Sequence, residues 1–237
     1  DQITRYKDIT LAQEMTDEQK EAIEEEISLT GMSGLIVSLG GIATYPAFVA
    51  DTMSLYNTID VAVEEWFHQY LFFRPLGFRY GMHVAGVMHD YEIATVNEAL
   101  AGMVSSEITS LVWERYYQET MTTAANVASA SANEFDFYAE MREIRLAVDE
   151  FIENGMIEEA EQYMEERRLY ILANGYYIRK LNQAYFAFHG TYASSPGSVS
   201  PIGSGLRNLR QQQLSLKDFI DLVSSMTNAD EIIAAAD

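Results

Sequence analysis

The chain has 237 residues, 48% of them hydrophobic, with 36 acidic side chains against 15 basic ones and a formal net charge of −21. One domain with a sizeable core is the natural expectation at this length. The acidic balance argues against nucleic acid as a partner, because a phosphate footprint needs Lys and Arg clustered on one face. The absence of Cys excludes disulfides, Cys-ligated zinc and thiol catalysis.

No apolar run is long enough for a membrane-spanning helix. The chain begins with Asp rather than Met, which favours an extracytoplasmic or membrane-tethered setting through a segment that preceded it.

Taken in order, residues 9–28 are charged, with apolar positions at Leu11, Met15, Ile23 and Ile27, and predict an amphipathic helix. The run LIVSL, 35–39, between Gly34 and the Gly40-Gly41 pair, predicts a short strand in a small sheet near residues 35–48. A helix is expected over 58–73, ended by Arg74-Pro75-Leu76-Gly77. A loop over 75–90 would carry His83 and His89, and a second helix would follow over about 91–117.

After a Ser/Thr/Ala/Asn-rich stretch, 120–133, helices are expected over 134–153 and 156–187, with Asn154-Gly155 between them. YASSPGSVSPIGSG, 192–205, reads as a long loop, followed by short helices over 215–226 and 228–236. The fold class is therefore α+β, predominantly helical with a small sheet. The chain is expected as a single domain: an N-terminal helical segment 1–30, a motif core 31–118 and a helical C-terminal part 134–237.

The chemistry concentrates in VEEWFHQYL, 63–71. On a helix, Glu64 and His68 are one turn apart and share a face, with Glu65 on its flank. Two carboxylates and an imidazole among Val61, Trp66, Phe67, Tyr70 and Leu71 are costly to bury without a compensating cation. The next helix carries Asn97-Glu98 within an apolar pattern, a further internal carboxylate. An ExxH on one helix and a Glu on the next is a recurrent way to hold a metal.

Residues 41–118 resemble the core of the gluzincin class of zinc metallopeptidases, with HExxH on one helix and a Glu, usually in N-E-x-x-x-D, on the next. More narrowly, GGIATYPAFV, EEWFHQYLFFRPLGFRY, TVNEALAG and KLNQAYFAFHGTYA resemble an uncharacterised bacterial family with HEWxHxYL, PLG and NETxAD. The resemblance implies a zincin-like metalloprotease fold with bound zinc and a peptide or protein substrate, whose peptide bond a metal-activated water attacks. It implies His68 and Glu98 as metal ligands and Glu65 as general base.

Position 64 departs from the pattern, with Glu where the family has its first His. Gly102 stands where the family has an Asp that orients that His. The two departures are coherent, because an Asp beside a carboxylate at 64 would repel it.

Three readings follow. In the first, Glu64, His68 and Glu98 keep a metal, zinc or another divalent ion, with a weaker Lewis acid because two carboxylates cancel its charge. In the second, no metal binds, the acids are protonated or paired with Arg74, Arg79 or Arg115, and the chain is an inactive pseudopeptidase serving as a binding or structural module. In the third, the ExxH is half of a di-metal bundle, which needs a second ExxH. His83, His89 and His189 instead follow Tyr80, Gly86 and Phe186 by three residues.

Tyr185, His189 and Tyr192 are candidates for stabilising an oxyanion. Asn97, beside the ligands, is a candidate for hydrogen bonding either a substrate or its own backbone.

Overall fold

The computed structural model describes residues 3–12, 14–50, 54–117, 135–190 and 200–236. The described residues form ten helices and one two-stranded sheet, so the chain is predominantly helical. The contacts divide it into two compact units. One comprises residues 1–38, 134–190 and 195–199, and the other residues 39–133, 191–194 and 200–237. The stretch expected as one C-terminal helical part is thus divided between them.

The first unit holds α1 (Asp17–Ser28), α5 (Phe137–Glu153), α6 (Ile157–Ala173) and α7 (Gln183–His189). Helix α1 starts at Asp17 rather than at residue 9. Thr16 and Gln19 form a reciprocal capping box there, satisfying the first free N–H groups. The single helix expected over 156–187 is interrupted after Ala173, where Gly175 turns the chain with φ +92°. Its core is Met141, Ile144, Val148, Ile152, Met164, Ile171 and Phe186.

The expected strand over 35–39 is not formed. The Ile36 N–H donates to Glu24 Oε1 at 2.7 Å, and the Ile36 carbonyl accepts from Arg179 at 3.0 Å. Side chains thus take the groups a ladder would have used. Glu24 is buried at 1% exposure and is neutralised by Arg179 and Lys180.

The second unit holds β1 (Gly41–Ile42), β2 (Phe48–Val49), α2 (Leu55–Phe72), α3 (Pro75–Val84), α4 (Tyr91–Tyr116), α8 (Pro201–Gln212), α9 (Leu216–Ser224) and α10 (Ala229–Ala236). The strands pair antiparallel, Gly41 opposite Val49 and Ile42 opposite Phe48. Helix α4 is the spine, burying Ile93, Val96, Leu100 and Val104 among Phe67, Leu71, Leu206, Phe219 and Ile232. Arg210 of α8 forks onto the Glu107 carboxylate of α4 at 2.7 and 2.8 Å.

Two expected loops are helical in part, over 75–84 and from residue 201. Pro75 ends α2 but also opens α3, because Pro at the first helical position gives up an N–H that has no partner there anyway. Pro201 does the same for α8, with the Ser200 hydroxyl accepting from the Ile202 N–H. Residues 120–133, 191–199 and Tyr192 lie outside the described residues.

Candidate metal centre

Helix α2 is capped by Ser54, whose hydroxyl accepts from the Asn57 N–H, and runs unbroken to Phe72. It buries Phe67 and Leu71 fully and leaves Trp66 54% exposed, so it is less enclosed than its composition suggests. Asp60, Glu64 and His68 recur every four residues and form one polar stripe. That stripe meets α4, where Thr109 donates to Asp60 at 3.4 Å and Asn97 bonds His68.

Glu64, His68 and Glu98 come together, each half-buried, with one ligand atom apiece and all three atoms within 4.8 Å of one another. His68 Nδ1 lies 2.8 Å from Asn97 Oδ1. An amide oxygen only accepts, so Nδ1 carries the hydrogen, and in the neutral ring the lone pair is then on Nε2. Nε2 lies 3.8 Å from Glu98 Oε2. The other Glu98 oxygen, Oε1, accepts from the Tyr80 hydroxyl at 2.5 Å. Tyr80 comes from α3, and its ring stacks beside that of His68, with centroids 6.0 Å apart and planes at 26°.

The acids perturb one another. Burial, then the charges of Glu98, Glu65 and Asp60, push Glu64 up to about 7. Burial, then Glu98, push Glu65 up to about 7 as well. The three arginines considered as counter-cations are engaged elsewhere. Arg74 donates to the Tyr70 hydroxyl, Arg79 faces Asp90 at 3.5 Å, and Arg115 lies over Tyr116.

Glu65 turns from the ligand stripe toward the hairpin. A Cβ added at Gly41 would lie 2.6 Å from both Glu65 Cγ and Oε1, so the missing side chain makes room for this carboxylate. Gly102 is one turn beyond Glu98 on α4 and offers no side chain. Asn97 is fully buried, and its Nδ2 has no hydrogen-bond partner.

Tyr185 and His189 belong to the first unit, on α7, with ring centroids 4.1 Å apart. Burial pushes Tyr185 up to about 12 and holds His189 below its ordinary value. With Leu35–Ser38 and Tyr177–Lys180 they line a cleft of about 310 Å³ in that unit. His83, expected on a loop, is on α3, where its Nδ1 accepts from the Asp90 N–H at 3.0 Å.

The donor set suits a divalent cation. An ion with bonds of about 2.0–2.1 Å in a tetrahedron holds its ligands about 3.3 Å apart, so the three atoms, which lie within 4.8 Å of one another, would draw closer to hold one. No helix among the described residues is long and apolar enough to cross a membrane. Compared with protein-family models, curated proteins and solved structures, the chain finds no match.

Proposed function

We propose that the second unit is a metal-dependent hydrolase of peptide bonds, related to the gluzincins and sharing a zincin-like fold. The observation that carries the reading is the meeting of three candidate ligands, Glu64, His68 Nε2 and Glu98 Oε2, with no Lys or Arg ion-paired to them among the described residues. Such a meeting is repulsive unless a proton or a cation fills it.

Glu64, His68 and Glu98 would hold the ion, zinc or a harder divalent ion such as manganese. When bound, it supplies a Lewis acid that makes water nucleophilic near neutral pH. Asn97 holds the His68 ring with Nε2 directed at the centre. Glu65, which lies against Gly41 of the hairpin, would swing from there toward the centre to act as general base, taking the proton of the attacking water and returning it to the leaving amine. Two carboxylate ligands leave a weaker Lewis acid than two histidines and one carboxylate would, so turnover is slow.

Metal content by mass spectrometry, after exposure to zinc or manganese and desalting, tests the reading, with Glu98→Ala as control. Near-stoichiometric metal lost in the variant, followed by cleavage in a peptide mixture, is the expected result. Metal without cleavage favours an inactive binding module on the same fold, and no metal in either chain sinks the hydrolase.

A further inference from the structure

Tyr80 touches two of the three candidate ligands from a helix that carries none of them. Its hydroxyl donates to Glu98 Oε1 at 2.5 Å, while Glu98 Oε2 is the oxygen facing His68 Nε2 at 3.8 Å. The two oxygens of one carboxylate are therefore divided between two tasks. A carboxylate can bind an ion through one oxygen or both. An oxygen engaged in a short charge-assisted hydrogen bond has given its density to the donor and is held away from the centre.

We propose that Tyr80 holds Glu98 as a one-oxygen ligand and so keeps open the coordination position that water or substrate needs. Tyr80 is a positioning residue, acting on the ion through Glu98. The inference rests on the metal-binding reading of Glu64, His68 and Glu98. Its physical content is a count: catalytic sites of this kind hold the ion with three protein ligands and leave a further position free. A second oxygen from Glu98 would take that position.

The probe is Co(II), added to the full chain stripped of metal, with azide as an exogenous ligand for the open position. Wild type gives the strong visible absorption of cobalt with few ligands. Tyr80→Phe keeps the ring beside His68 and removes only the hydroxyl. Added azide shifts the wild-type visible band by entering the open position and leaves that of the variant unmoved, because the second Glu98 oxygen fills the position, with an unchanged far-ultraviolet dichroism spectrum. An equal azide shift in the variant overturns the role of Tyr80 and leaves the metal site standing. No cobalt uptake by wild type overturns both. Azide titration of wild type alone decides the matter should the variant not fold: a saturable shift of the visible band is expected, and no shift overturns the proposal.

Discussion

Asn97 combines complete burial with one satisfied and one unsatisfied polar atom. Removing its amide deletes a hydrogen bond to His68 and an orphaned donor together, and these act in opposite directions on stability. Asn97→Ala is therefore expected to leave the melting temperature of the metal-free chain nearly unchanged. Metal affinity should fall by about 10–100-fold, as is usual when the partner of a ligating His is lost. Titration calorimetry beside thermal melting reads both, and unaltered affinity would remove Asn97 from the site.

Glu64 makes a second prediction at this scale. Its folded value of about 7 stands above the ordinary 4.5, so the folded state holds this proton more tightly than the unfolded state. The resulting stability is complete below about 4.5 and is lost as pH rises through about 7. Melting temperatures of the metal-free chain should fall between about pH 5 and about pH 8. Glu64→Gln should flatten that slope, while Glu65 retains part of it with the same sign. A slope as steep in the variant as in wild type would show that Glu64 ionises normally.

Among the elements, α3 is the one whose placement depends on a single atom's absence. A Cβ at Gly77 would lie 2.0 Å from the Leu71 carbonyl oxygen of α2, a backbone group with no freedom to move aside. Gly77→Ala should destabilise the second unit by about 3 kcal/mol, the upper part of the range for overpacking. Because Tyr80 is one turn further along α3, the same substitution should also weaken metal binding. Denaturant unfolding that matched wild type would mean that the corner opens freely.

The same corner shows what the sequence could and could not tell. Pro75 and Gly77 correctly mark the end of α2, yet both also serve the start of α3, where Pro needs no N–H donor and Gly permits close approach. Read as terminators alone, they hide the helix that brings Tyr80 to Glu98. LIVSL failed differently: its apolar run is strand-like, but its backbone partners are Glu24 and Arg179, whose positions no local pattern reveals. The meeting of Glu64, His68 and Glu98 was legible because it needs only helix periodicity and two adjacent helices. His189 and Tyr185 were legible as chemistry, but their place in the first unit was not.

For the whole molecule, the separate cores have a thermodynamic consequence. Phe67, Leu100, Phe219 and Ile232 belong to one, and Met141, Val148, Met164 and Phe186 to the other. Calorimetry should resolve two transitions. Saturating zinc should raise only the one belonging to the second unit, since a ligand stabilises just the state it binds. A single transition moving as a whole would mean that the units unfold together. With a net charge of −21, moderate salt should raise both transitions by screening self-repulsion.

The two units are interleaved along the chain, and this constrains how it is made. On a ribosome, α2, α3 and α4 emerge with every candidate ligand already in place. Their core still lacks Leu206, Phe219 and Ile232, which arrive only after the whole of α5, α6 and α7. The other unit waits as well, since Glu24 of α1 meets Arg179 and Lys180 some 155 residues later. Neither part can finish before most of the chain has been synthesised, so the acidic helix pair spends that interval with its apolar face uncovered. A divalent ion captured then by Glu64, His68 and Glu98 would clasp α2 to α4 early, acting first as an aid to assembly.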